Sequence, residues 1–417
     1  MSALDRPLQL VQAAALPYPS PQGSQVYVGG MARALSRRGH DVTLVCYGHG
    51  AREDGRDGEA GVSIVRAPRL PGYQRLTSGP DPVKPVLDAA LALRLASLRP
   101  DIVHAHHYEA CLAALLARPL NRCPVVYSAH TTLCEELPSY FETSWACRLA
   151  AACGRSLDRS VPRRADHVVA LRSATREQLQ GLGCRSVTTI APGIDPGELG
   201  PGPIADLPPG PWIVYAGNTD RYQDLDVLRA AMGRVRGAGL LLVSAGSLES
   251  WRHCGLDRVR TVRTSDFDEV RSLLRASSVG VLPRAVCPGY PIKLLNYLGL
   301  GLPSVVACPG MESMPGLIPA PARDSEGLAA ALQDLVDRPR LRRDLGARAR
   351  THVLQSCTWD QRAQDLERVY EGLLRTSFEG VRITDPPTVG RHGGWRSRRK
   401  RVCYQGSGTS QGVGAQA

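Results

Sequence analysis

Three observations predict an α/β protein of two Rossmann-like halves, each a parallel sheet, facing one another across a cleft. Short apolar runs alternate with helical stretches, and the pattern restarts after a segment crowded with proline and glycine. The 417 residues, 43% of them apolar, suffice for two cores. In the first half, the runs at 8–15, 42–46, 62–65, 102–104, 125–128, 167–170 and 187–190 predict strands. The stretches 26–38, 86–98 and 175–182 predict helices between them. Strand runs that are apolar without alternation belong to a parallel sheet covered on both faces. The run 196–211 has the composition of an interdomain linker. Beyond it, 212–216, 240–245, 259–262, 279–282 and 304–307 predict strands, and 226–235, 266–276, 293–298 and 328–336 predict helices. A last helix is expected at 359–374. The chain thus divides into a first domain over 1–195, the linker 196–211, a second domain over 212–354, a helix over 355–377 and a tail over 378–417.

The formal net charge of +12 favours anionic partners. Part of it is local: Arg391, Arg396, Arg398, Arg399, Lys400 and Arg401 stand together in a Gly/Ser/Gln-rich tail that is expected to be disordered and solvated, with peripheral contact with an anionic membrane as the alternative. Nucleic acid is not expected as a partner. The 12 cysteines include no Cys-x-x-Cys pair and lie mostly in apolar segments, so reduced, buried thiols are expected. No apolar run is long enough to span a bilayer, and the expectation is a cytoplasmic protein, peripheral at most. Walker, Gly-x-Ser-x-Gly and His-Glu-x-x-His motifs are absent, which leaves kinase, hydrolase and metalloprotease readings without support.

The segment 289–306 is the most informative. Pro291 suits a helix start, Leu294, Leu295 and Leu298 recur at helical spacing, and Gly299–Gly301 ends the helix before a buried strand. The free N–H groups of that helix start favour an anion, and Lys293 sits in the first turn. Only Lys84, Lys293 and Lys400 are lysines among 51 basic residues, which sets Lys293 apart. After the first strand, the loop 17–25 ends in Gly23 and Ser24, where backbone amides can approach an anion, with Arg33 and Arg37 one turn apart on the helix that follows. His104, His106 and His107 have no carboxylate or cysteine at ligand spacing, so no metal site is expected. His130 follows a strand, where a side chain reaches the cleft; a satisfied core histidine is the competing reading. The pairs Asp224/Asp226 and Asp266/Asp268 stand at helix starts and read as caps, not as metal ligands.

These pieces together resemble the family 4 glycosyltransferases, nucleotide-sugar enzymes of the GT-B fold. The resemblance covers roughly residues 8–374. It rests on Gly23–Gln25 with Leu35-Ser-Arg-Arg-Gly-His-Asp-Val42, Pro100-Asp-Ile-Val-His-Ala-His106 and Tyr127-Ser-Ala-His-Thr131. Ala191-Pro-Gly-Ile-Asp195, Tyr215-Ala-Gly-Asn218 and the segment 289–306 complete it. It implies transfer of a sugar from a nucleotide diphosphate donor to a hydroxyl of a saccharide, lipid-linked or small-molecule acceptor, with retention and without a metal or other cofactor. It implies that His130 contacts the transferred sugar and that Gly23 and Ser24 lie near the diphosphate. Gly289 and Tyr290 would cradle the sugar, and Asn296 would hold the ribose. It also implies that the last helix returns to the first domain. The family's paired glutamates fall on Pro288 and Asn296, and its diphosphate arginine and lysine on Asn218 and Gln223. Lys293, Arg221 and Arg284 are the nearby cations expected to compensate. A non-catalytic GT-B protein binding a nucleotide-sugar or a partner transferase is the alternative reading, and a sugar-nucleotide epimerase the third.

Overall fold

The computed structural model describes residues 6–19, 23–48, 58–59, 61–73, 79, 81–251, 254–287 and 289–382. The basic run at 391–401, the middle of the loop at 20–22 and Pro288 lie outside the described residues. The first sheet contains β1 (Gln9–Ala14), β2 (Asp41–Cys46), β3 (Gly58–Glu59), β4 (Val62–Arg66), β5 (Ile102–His106), β6 (Val125–Ala129), β7 (His167–Ala170) and β8 (Val187–Thr189). Its order is β3-β4-β2-β1-β5-β6-β7-β8, parallel except for the edge pair β3–β4. The second contains β9 (Trp212–Ala216), β10 (Gly239–Ser244), β11 (Val259–Arg263), β12 (Val279–Leu282), β13 (Ser304–Val306) and β14 (Leu317–Pro319). It runs β11-β10-β9-β12-β13-β14 and is parallel throughout. β1, β5, β6, β9, β10 and β12 are buried almost along their whole length, the polar Gln12, His104, His106 and Ser128 included.

Twelve α-helices connect and flank these strands among the described residues. They are α1 (Gly23–Arg37), α2 (Lys84–Ala96), α3 (His107–Asn121), α4 (Leu133–Glu136), α5 (Ser144–Ser160), α6 (Ser173–Gly181), α7 (Leu225–Met232), α8 (Phe267–Ala276), α9 (Ile292–Gly299), α10 (Ser325–Asp337), α11 (Pro339–Ser356) and α12 (Trp359–Arg382). In each sheet the chain first builds outward on one side and then crosses to the other. The order reverses between β1 and β5 in the first sheet and between β9 and β12 in the second. A crevice opens at the carboxyl ends of the strands at such a point, and that is where ligands bind in open α/β sheets.

The chain passes between the halves twice. At the second pass an isolated parallel bridge joins Ile194 to Thr358, with the Ile194 amide donating to the Cys357 carbonyl at 2.9 Å. Helix α12 then lies against the first half. Trp359, Ala363, Leu366 and Tyr370, on one face of the helix, are buried with Tyr27, Met31, Leu35 and Leu44. Glu367 joins Arg38 at 2.7 Å and His40 at 3.0 Å, while Arg37 pairs with Asp360 at 2.9 Å. Arg37 is thus engaged by α12. The segment 196–211 has little regular structure but is tethered to the second half: Leu199 is buried there, and Arg258 and Arg260 donate to the carbonyls of Pro208 and Asp206.

One expectation needs correction. Cys287 and Cys308 form a disulfide with their Cα atoms 6.0 Å apart, whereas nine other cysteines among the described residues are free. The two cysteines follow the neighbouring strands β12 and β13, and strand pairing alone brings their loops together. Spacing along the chain carries no trace of that.

Candidate active site

The loop after β9 turns at Gly217, which has φ +153°, and a Cβ there would collide with the ammonium of Lys293. Lys293 comes from the second residue of α9 and reaches back beneath that loop. Its Nζ donates to Tyr215 Oη at 3.1 Å and to Gln223 Oε1 at 3.2 Å, and lies 4.2 Å from the centre of the Tyr215 ring. The residue keeps part of its surface open to solvent. Even so, burial of the ammonium, reinforced by the positive charge of Arg284, holds its pKa well below the ordinary lysine value.

The two positions where an arginine and a lysine were expected carry amides that bond to each other. Gln223 Nε2 donates to Asn218 Oδ1 at 2.7 Å, and Asn218 Nδ2 donates to Asp220 at 2.6 Å and to Tyr222 Oη at 3.1 Å. Lys293 therefore delivers its charge to Gln223 from a different helix. Arg284, just past β12, is 6% exposed with its Cζ 5.8 Å from the Tyr222 ring centre, and its Nε has no hydrogen-bond partner. Burial pulls its pKa down, although a guanidinium stays charged. Neither Lys293 nor Arg284 forms an ion pair among the described residues. Arg221 is exposed on the turn Arg221–Gln223, and no described contact joins its side chain to these two cations.

Asp224 behaves differently from the cap expected of it. It stands at the start of α7 with φ +51°, but its carboxylate accepts from the Ala285 amide at 2.6 Å and so ties down the loop that carries Arg284. Asp226 pairs with Arg229 at 3.0 Å. Asp266 is a cap, accepting from the Asp268 amide at 2.8 Å, and Asp268 pairs with Arg271. Asn296 lies one turn beyond Lys293, partly exposed, with no side-chain hydrogen bond among the described residues.

The first half contributes the facing wall. Helix α1 begins at Gly23, and a Cβ on Gly23 would sit 4.0 Å from Ile292 Cδ1 at the start of α9. Two helix N-termini from opposite halves thus converge, neither with an acidic residue in its first turn, so their dipoles favour an anion between them. Ser24 is partly exposed beside them. Gly289, at φ +93°, brings the backbone of the second half so close that a Cβ would lie 2.9 Å from the His130 carbonyl oxygen. Tyr290 packs into the cores of both halves.

His130, at the end of β6, stacks on His107 at 4.1 Å and meets the edge of Tyr27 at 4.8 Å. His107 has φ +66°, a strained conformation for a residue of its size, and it is held at the first position of α3 where it backs His130. Beneath them, His104 and His106 stack at 4.7 Å on one face of β5. The bonding pattern assigns their protons. Gln12 Oε1 accepts from His106 Nε2 at 2.6 Å, so neutral His106 presents a bare Nδ1, which accepts from His130 Nε2 at 3.4 Å. His130 is left with its Nδ1 as an acceptor. Burial, then the neighbouring histidines, push its pKa well below the ordinary value, so it is neutral. His104 is satisfied internally, 2.7 Å from both Tyr370 Oη and Ser128 Oγ.

Arg172 has no counterpart in the sequence reading. Directly after β7, it donates across the cleft to the carbonyls of Cys287 and Pro309, the latter at 3.1 Å, while Ser173 donates to Glu312 at 2.6 Å. Its place at the carboxyl end of a strand was the one available clue. The disulfide joins the two loops that Arg172 and Ser173 hold.

Two Rossmann-like domains that meet at their switch points, with an anion-favouring cleft between them, define a GT-B protein. The family model for glycosyltransferase family 4 matches residues 21–198, and that for glycosyl transferases group 1 matches residues 210–338. The chain belongs to the family 4 type of GT-B glycosyltransferases. It is 24% identical over 395 residues to the glycogen synthase of Mycobacterium tuberculosis, covering 83% of this chain and 91% of the relative. Among solved structures, sucrose-phosphate synthase from Thermosynechococcus elongatus superposes with a TM-score of 0.75 at 19% identity, over 88% of this chain and all of that one. The Anabaena protein HepE in complex with UDP-glucose gives 0.67 at 14% identity, with 88% of this chain and all of that one covered. Among the described residues, no helix is long and apolar enough to cross a membrane.

Proposed function

We propose that the chain transfers a sugar from a nucleoside diphosphate donor to a hydroxyl of a saccharide, lipid-linked or small-molecule acceptor, retaining the anomeric configuration and using no metal. The observation that carries this reading is the pair of buried, unpaired cations Lys293 and Arg284 beside the start of α9, opposite that of α1. An uncompensated buried charge is costly, and a polyanionic ligand is the partner that removes the cost. A diphosphate seated there lies against two helix N-termini and two cations. Its charge rises as the bond to the sugar breaks, so those donors bind the departing group more tightly than the intact donor. The Nδ1 of His130 accepts a hydrogen bond from a sugar hydroxyl. The Gly289 backbone lines the same pocket, and Asn296 offers an amide to the ribose. No side chain is asked to form a covalent intermediate. Binding of UDP-glucose by HepE supports a nucleotide-sugar as the donor class.

One observation favours a binding role instead: Asn218 and Gln223 are neutral where the family's two diphosphate cations stand, so neither of those charges is supplied from its usual position. A panel of nucleoside diphosphate sugars decides between the two. Thermal shifts identify the donor, since a ligand specific for the native state raises Tm with the logarithm of its concentration. Release of the nucleoside diphosphate with glucan or lipid acceptors then marks a transferase. Stabilisation by a donor with no turnover marks a binding protein, and isomerised donor without acceptor marks an epimerase.

A further inference from the structure

Helix α5 turns an apolar face to solvent. Trp145 is 66% exposed and Leu149 58%, with Ala152 and Cys153 continuing the stripe one turn further and Phe141 exposed just ahead of the helix. A tryptophan so open on a helix whose opposite face is well anchored is unusual for a surface that meets only water. The anchoring is firm: Ala150 and Gly154 are buried, and the Asp158 carboxylate accepts from the amides of Leu133 and Cys134, both at 2.9 Å.

Arg148, Arg155 and Arg159 line one flank of this stripe, at spacings of two turns and then one. All three are exposed and none forms an ion pair among the described residues. The helix itself carries one acidic residue, Asp158, and that one is buried. A second copy of the chain seated on this face would bring arginines towards arginines with no carboxylate of the helix to pair them. An aromatic and aliphatic stripe flanked by arginines instead matches a surface that is apolar beneath and negatively charged above.

We propose that the outer face of α5 docks on an anionic lipid bilayer, with Trp145 and Leu149 entering the interface and Arg148, Arg155 and Arg159 bonding lipid phosphates. This surface is separate from the donor cleft. Asp158 holds the start of α4, three residues beyond His130, so the docking helix is tied directly to the first half's wall of the cleft. That geometry suits an acceptor carried by a lipid, a consequence that rests on the proposed transferase reading; the docking itself does not.

The test uses the full chain with Trp395→Phe, so that Trp145 is the exposed indole: Trp212, Trp251 and Trp359 are buried. Vesicles of phosphatidylcholine with and without phosphatidylglycerol are mixed with the protein, and sedimentation is read alongside quenching by brominated acyl chains. Quenching of Trp145 on the anionic vesicles, with the bound fraction falling about tenfold or more in Trp145→Ser/Leu149→Ser, is the expected result. Each of Arg148→Gln, Arg155→Gln and Arg159→Gln should weaken binding about fivefold. All these positions are exposed, and an unchanged Tm establishes that the variants fold. Vesicle binding without quenching, unaffected by these substitutions, would assign the interaction to the tail and overturn the proposal. So would a concentration-dependent dimer that Trp145→Ser abolishes.

Discussion

Lys293→Met separates function from stability at one position. In the native protein the ammonium bonds two neutral oxygens and no carboxylate. Methionine keeps the length of the side chain and removes the charge. Gln223 Oε1 then loses a donor, a cost of about 1–2 kcal/mol, whereas Tyr215 Oη still donates to the Asn218 carbonyl at 2.5 Å. Against that, relief of a desolvated cation is worth several kcal/mol on the order-of-magnitude scale for buried ions. Tm should therefore stay level or rise. Catalysis should move the other way: loss of one electrostatic donor to the leaving group costs about 2–4 kcal/mol, roughly 30- to 1,000-fold in kcat/KM. The pH dependence carries a second signature. The native pKa of Lys293 lies below the unfolded value of about 10.4, so between the two the unfolded chain holds a proton that the native state lacks. Wild-type stability gains a rising component with pH across that window, and the variant loses it. Nucleoside diphosphate release and thermal scans over pH measure both. A fall in Tm with undiminished transfer would refute the argument, because it would make Lys293 a structural residue.

Arg284→Met should weaken nucleoside diphosphate binding measured by calorimetry at least tenfold, and the double variant with Lys293→Met should lose it altogether; the two sites act on one ligand, so their effects should not be additive. Gly289→Ala places a Cβ against the His130 carbonyl at φ +93° and should cost about 1–2 kcal/mol of stability for the backbone alone, with a raised donor KM, by denaturant titration and kinetics. Burial by itself would raise the pKa of Glu367, but bonds from Arg38 and His40 outweigh it and hold the carboxyl below its ordinary value. Its contribution is present above the unfolded pKa of about 4.3 and is lost as pH falls through the native one. Glu367→Gln should lower stability by about 2–3 kcal/mol at neutral pH and flatten the acid limb of the unfolding curve. Gln12→Leu leaves His106 Nε2 without an acceptor, and 15N spectra of ring-labelled histidine should then show the His130 proton move from Nε2 to Nδ1; an unchanged His130 signal would contradict the assigned chain of donors.

The two sheets and their parallel sense were legible in the chain, because apolar runs such as 125–128 and 240–245 can be buried on both faces in no other common way. So was the helix start at 291–293, since proline, helical leucine spacing and a terminal glycine are local signals. The return of α12 was legible only through family resemblance, although Trp359, Leu366 and Tyr370 already marked one face as apolar. Helices α3, α5 and α11 did not stand out. In α3 and α5 the exposed positions include alanine and leucine, and in α11 few residues are apolar at all, which blurs the contrast between faces on which helix recognition depends.

Tertiary structure decided everything that depends on two segments meeting. The destination of the Lys293 ammonium depends on a side chain 70 positions earlier, Gln223, and on the space left by Gly217. The role of Asp224 changed from cap to cross-link because the Ala285 amide lies 2.6 Å from it. The proton on His130 is set by Gln12, which enters from another strand through His106. Periodicity and capping are short-range, and a sequence states them directly. Charge pairing, tautomers and disulfide formation are set by distance in space, which a linear chain specifies only once it has folded.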